Sequence, residues 1–204
     1  MEWYHELRAK LSTRELDGPV RSIMFTGTSH RDDASVLAAD YAAILADDSK
    51  QMVLLIDLKE EASSHNEASE IDRAHVFTDN HSDKGNRPVH AKKIGPGNLY
   101  LLSLGANYSE SIDLFEPARL DRLLQIINKK FDYLIIASPV FSSFQARVFS
   151  EKVDGVVLVI LSGKTRRQIV MKAKETIETA GGKLFGIVLN RRKYYIPQWI
   201  YKRL

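Results

Sequence analysis

The stretch TGTSHRDDAS, Thr26 to Ser35, joins an apolar run to an alanine-rich segment. A polar turn in that setting is where a chain can cradle phosphate. A loop of the form GxxxxGK followed by Ser or Thr works through three features: glycines that let backbone N–H groups point at the phosphates, a lysine that reaches the outer phosphates, and a hydroxyl that holds Mg²⁺. Here Thr28 lies in the turn and Ser35 supplies the hydroxyl, but there is no late glycine and no lysine. A carboxylate on a neighbouring strand end supports the metal in such sites, and the next apolar run, MVLLID, ends on Asp57. Plain structural roles compete with each of these. Ser35 also suits the start of a helix, Asp57 a turn, and Asp32-Asp33 the positive end of a helix dipole.

Six apolar runs must position these groups: SIMFT, MVLLID, LYLLSL, YLIIA, GVVLVIL and LFGIVLN. They are near-continuous rather than alternating, which suits strands buried on both faces of a parallel sheet. Helical patterns lie between most of them. Ser35 to Asp48 is alanine-rich. In EPARLDRLLQIINKK, Leu120, Leu123, Leu124 and Ile127 recur at helical spacing behind Pro117. TRRQIVMKAKETIETAGG opens with Thr165 and Gln168 in capping-box spacing and ends on Gly181-Gly182. Strands alternating with helices predict an α/β fold, a doubly wound, mostly parallel sheet with helices on both faces. Ligands of such sheets bind at the carboxyl ends of the strands, which here carry residues 26–35, Asp57, Gly105, Ala137-Ser138-Pro139, residues 162–165 and Asn190.

The 204 residues, 44% hydrophobic and 27% charged, are expected to form a single domain over 1–204. With no cysteine there is neither a disulfide framework nor a thiolate metal site. The apolar runs fall far short of the roughly 18 residues of a membrane span, and MEWYHELRAKL is acidic and amphipathic rather than a signal peptide. These features predict a cytoplasmic protein. A net charge of +3 gives no argument for nucleic acid. Residues 59–98 read as one irregular surface segment with four of the six histidines, and His65, His75, His81 and His90 match no ligand spacing, so no metal site is expected. The segment 191–204 holds five basic residues among aromatics and no acid.

Taken in order, these pieces resemble the cytoplasmic domain of the bacterial tyrosine kinases that control capsule and exopolysaccharide export, a branch of the P-loop ATPases. EWYHELRAKL, within a leading helix over 1–18, is similar to their first helix, and SIMFTGTSHRDDASVLAADYAAILA to their strand, phosphate loop and helix. MVLLIDLKEE resembles their second Walker segment, LYLLSLGANYSESIDLF their third strand and following loop, and FDYLIIASPVFSSFQARVFSEKVDGVVLVI the Walker B strand and its successor. The rest, from GKTRRQ to the C-terminus, is similar to their final helix, strand and tail. The resemblance implies a P-loop NTPase-like fold, a remnant nucleotide site at Thr28, Ser35 and Asn190, and Asp57 as the catalytic carboxylate only if the chain is active.

The departures from that family fall on its chemistry. Arg31 and Asp33 stand at the two loop glycines, Ala34 at the lysine, and Ala137 at the Walker B aspartate. Lys59 and Glu61 exchange the signs of the charges after Asp57. Losing a charge-assisted bond from lysine to phosphate costs about 1.5–3 kcal/mol. A carboxylate at position 33 adds roughly 4 kcal/mol of repulsion at about 4 Å for an effective dielectric of about 20, and a non-glycine at positive φ about 1–2 kcal/mol. Together they predict nucleotide affinity weakened about a thousandfold or more, with Arg31 and Lys59 as the nearby substitute cations. The expected function is that of a catalytically degenerate regulatory or scaffolding subunit in polysaccharide biosynthesis or export, without a cofactor. The alternative is an active ATP- and Mg-dependent tyrosine kinase or ATPase with an atypical loop. The expected partners are a membrane-bound chain-length or export protein and other subunits. The resemblance assigns the subunit contact to Glu2, His5 and Arg8, in the place of an E-x-x-R-x-x-R pattern. Tyr194, Tyr195, Trp199 and Tyr201, flanked by Arg191, Arg192, Lys193, Lys202 and Arg203, are the candidates for docking, including docking at the inner membrane face.

Overall fold

A computed structural model describes residues 19–49, 51–58, 75–77, 89–104, 115–138 and 140–191. β1 (Ser22–Gly27) leads through a single 3-10 turn (His30–Asp32) into α1 (Ala34–Ser49). Then come β2 (Val53–Asp57), β3 (His75–Phe77), β4 (Val89–Ile94) and β5 (Leu99–Ser103). The chain continues through α2 (Pro117–Lys130), β6 (Tyr133–Ser138), α3 (Phe144–Lys152), β7 (Gly155–Leu161), α4 (Arg167–Thr179) and β8 (Leu184–Asn190).

The strands form one sheet in the order β3-β4-β5-β2-β6-β1-β7-β8. From β5 to β8 every pairing is parallel. The six apolar runs supply these six strands, as their lack of alternation predicts. β4 pairs antiparallel with β5, and β3 antiparallel with β4. This corrects the expectation that 59–98 is irregular throughout. HVF is too short, and VHAKKI too polar, to read as a buried strand. His75 and His90 sit on this antiparallel pair, whereas His65 and His81 lie outside the described residues.

Helices cover both faces, as a doubly wound sheet requires. On one face α1 buries Ala34, Ala38, Ala42 and Ala46, an i, i+4 row small enough to bring its backbone close to the sheet, beside Leu37, Tyr41 and Leu45. Tyr41 packs on Phe25 of β1, ring centres 5.3 Å apart. On the other face α2 buries the predicted Leu120, Leu123, Leu124 and Ile127, α3 adds Ala146 and Phe149, and α4 adds Ile177. α3 escapes a reading of periodicity because Gln145 and Ser150 share its buried side. Ser143 caps it, its Oγ accepting from the Ala146 amide at 3.2 Å. α4 starts at Arg167, so the capping box expected from Thr165 and Gln168 does not form, and no side chain caps this end.

Asp154 fixes the register of β1 against β7 at the amino ends of the strands. Its Oδ2 accepts from the amides of Arg21 and Ser22, each at 2.8 Å, and from the Ser22 hydroxyl at 2.9 Å. This places β1 between β6 and β7, with its polar turn at the carboxyl edge.

Candidate functional site

The turn after β1 is organised around one buried carboxylate. Asp32 is 1% exposed. Its Oδ2 accepts from the Thr28 amide at 2.7 Å, the Thr28 hydroxyl at 2.8 Å and the Ser29 amide at 2.8 Å. The Asp32 amide in turn donates to the Ser29 carbonyl at 3.1 Å. Backbone N–H groups converging in a tight loop form an anion-binding concavity, and here the anion belongs to the chain itself.

Asp33 follows in the left-handed region, φ 57° and ψ 31°. That conformation costs a non-glycine about 1–2 kcal/mol, and aspartate is among the residues that bear it best. A conformation that favours glycine is thus held here by a residue with a carboxylate side chain. Asp33 is held from the end of β8: Arg191 Nη2 lies 2.6 Å from its Oδ2. Asn190 Nδ2 donates to the Asp32 carbonyl at 3.1 Å and to Asp33 Oδ2 at 3.4 Å.

Behind Asp33 the helix begins with Ala34, 2% exposed and packed against the sheet. Ser35 follows with its hydroxyl buried and making no hydrogen bond, so it does not cap the helix as a helix-start hydroxyl would. Thr26 Oγ1, at the end of β1, is likewise buried without a partner. On β2, Asp57 is the register partner of Ala137 on β6. Ala137 is 2% exposed and its carbonyl accepts from the Leu58 amide at 2.9 Å. β6 separates β2 from β1, which sets Asp57 roughly 10 Å from the loop strand at about 4.8 Å per strand.

The structure therefore brings Thr28 and Asn190 together around Asp32 and Asp33, keeps Ser35 one residue into α1, and leaves Asp57 two strands away. Arg191 is a cation at the loop that the sequence did not point to. Arg31 is exposed, and Lys59 lies outside the described residues. Arg191 reads as part of the tail in the sequence, because nothing in the sequence shows that β8 ends beside the β1 turn. Glu2, His5, Arg8, Tyr194, Tyr195, Trp199 and Tyr201 lie outside the described residues. Among the described residues no cluster of His, Cys, Asp or Glu is placed to hold a metal ion, and no helix is long and apolar enough to cross a membrane.

No protein-family profile matches the chain. It is 26% identical over 193 residues to the tyrosine-protein kinase YwqD of Bacillus subtilis, covering 94% of this chain and 81% of that protein. Among solved structures, the chimerical protein CapA2B2 superposes with a TM-score of 0.71 at 23% identity, covering 95% of this chain and 85% of that one. The kinase domain of the Escherichia coli tyrosine kinase ETK also gives 0.71, at 22% identity, with 95% and 77% covered. The chain is similar to a bacterial tyrosine-protein kinase over nearly its whole length, and its fold is that of the ETK kinase domain.

Proposed function

We propose that this chain is a catalytically silent relative of the capsule and exopolysaccharide tyrosine kinases. It acts as a regulatory or scaffolding subunit of polysaccharide biosynthesis or export, docked to a membrane-bound chain-length or export protein. One observation carries the reading. The Asp32 carboxylate takes the N–H groups of Thr28 and Ser29, so the loop supplies its own anion.

The rest of the site agrees. A Mg²⁺–triphosphate brings several negative charges, and the loop offers it two carboxylates, while Arg191 is already paired with Asp33. Ala34 supplies no cation, and Ala137 supplies no carboxylate beside Asp57. These residues do not fit a nucleotide of the ordinary kind. The buried Ser35 hydroxyl and Asp57 remain as parts of the framework.

Complementation in a host that lacks the gene tests the reading. A subunit that works by binding predicts full polysaccharide export from Asp57→Asn and from Ser35→Ala. Loss of export with Asp57→Asn, when the variant protein accumulates normally, supports the active-kinase alternative instead. Docking predicts that the full chain co-purifies with membranes together with a polysaccharide-assembly protein. A fully soluble protein that recovers no such partner contradicts it.

A further inference from the structure

Exposed cations gather along one stretch of the sheet's carboxyl edge. β1, β7 and β8 are neighbours, so their carboxyl ends lie within about 10 Å of one another at about 4.8 Å per strand. The turn after β1 carries Arg31, the turn after β7 carries Lys164 and Arg166, α4 starts on Arg167, and Arg191 follows β8, all exposed. Of the carboxylates on these turns, Asp32 is buried and Asp33 is taken by Arg191. Arg31, Lys164, Arg166 and Arg167 thus have no ion-pair partner among the described residues. Along α1 and α4 the first carboxylates are Asp40 and Glu175, about 9 and about 12 Å from the helix starts at about 1.5 Å per residue. Arg166 and Arg167 stand at the N-terminus of α4, which no side chain caps. Cations there oppose the helix dipole, so helix stability does not account for them, and a local rule broken without structural return marks a functional position. Aliphatic side chains border the cations. Val36 in the first turn of α1, Ile169 in the first turn of α4 and Leu189 near the end of β8 are each about half exposed.

We propose that the carboxyl edge of β1, β7 and β8 docks on the surface of an anionic lipid bilayer. Arg31, Lys164, Arg166 and Arg167 meet the negative headgroups, and Val36 and Ile169 reach the boundary with the acyl chains. Cations edged by exposed aliphatic side chains match charged headgroups laid over hydrocarbon. A uniformly polar polyanion would leave the aliphatic groups without a partner. The contact requires neither nucleotide nor catalysis.

Co-sedimentation of the full chain with vesicles tests this, using equal parts phosphatidylglycerol and phosphatidylcholine against phosphatidylcholine alone. Wild type is expected to bind the anionic vesicles about a hundredfold or more tightly than the neutral ones. Arg166→Glu with Arg167→Glu weakens that binding about thirtyfold or more, at about fivefold per cation lost. Arg31→Glu with Lys164→Glu does the same from the neighbouring turns, and answers the question should the first pair fail to fold. Lys129→Glu with Lys183→Glu changes net charge equally at the amino edge, about 20 Å away along the strands. That distance exceeds the Debye length of about 10 Å, so binding stays within about twofold of wild type. Val36→Ser with Ile169→Ser keeps every charge and weakens binding about fivefold or more. Absent or equal binding to the two vesicle types overturns the proposal. So does wild-type binding by either edge pair, or an equal loss from the amino-edge pair. Undiminished binding by the serine pair also overturns it, and marks instead a purely ionic surface suited to an acidic protein.

Discussion

The carboxylate of Asp32 lies 2.7 Å from the amide nitrogen of Thr28 and 2.8 Å from its hydroxyl, so the loop after β1 is filled by its own side chain. Removing that carboxylate leaves two amides and a hydroxyl in a partly buried position without this acceptor. Asp32→Ala is expected to lose about 2–4 kcal/mol, which lowers Tm by roughly 5–15 °C for a chain of this size. Asp32→Asn keeps one acceptor oxygen and loses less. Calorimetric melting of the two variants checks the order, and equal melting temperatures contradict it.

At Asp33 two effects oppose each other. Glycine relieves about 1–2 kcal/mol of left-handed strain and gives up an ion pair worth about 0.2–1 kcal/mol. Asp33→Gly is therefore expected within about 1 kcal/mol of wild type in urea denaturation. Asp33→Val gives up the same pair and adds a β-branched side chain at positive φ, so it should lose about 2 kcal/mol or more. A valine variant as stable as the glycine variant would show that the loop does not need this backbone.

Restoring the lysine alone should not create a kinase. Phosphoryl transfer is positioning plus electrostatics, and Ala34→Lys leaves the Asp32 carboxylate in the loop and Ala137 beside Asp57. Transfer of labelled phosphate is expected at background for this variant. Robust phosphorylation by it contradicts the account.

Lys152 and Asp121 join α3 to α2 at 2.8 Å. The hydrogen bond that Lys152 donates to Asp121 holds its ammonium above its ordinary 10.5, against a smaller opposing effect of burial. A lysine whose pKa rises on folding stabilises fully below its unfolded value and loses that contribution as pH climbs through the raised one. Lys152→Met should thus cost under about 1 kcal/mol near neutral pH, given the exposure of both groups. The difference from wild type should shrink above about pH 10.5. A gap that widens there has the wrong sign.

The parallel sheet was legible because six apolar runs name six strands, and α2 because Leu120, Leu123, Leu124 and Ile127 keep helical spacing behind Pro117. The β3–β4 pair was not, since strands as short as HVF or as mixed as VHAKKI carry no buried-strand pattern. Within the site, Thr28 and Asn190, named together from the sequence, both contact Asp32. Two features depend on three-dimensional closure. Asp32 read as a partner of the helix dipole, because its burial and its three bonds come from the fold of the turn. Arg191 read as tail, because its pairing with Asp33 requires the strand order β1-β7-β8.

The loop, with Asp32 on its amides, is expected not to take a nucleotide triphosphate. Calorimetric titration of the full chain with ATP and Mg²⁺ measures this directly. The account predicts no heat of binding at ligand concentrations up to about 100 μM. A dissociation constant below about 10 μM, equivalent to nearly 7 kcal/mol of binding, would contradict it.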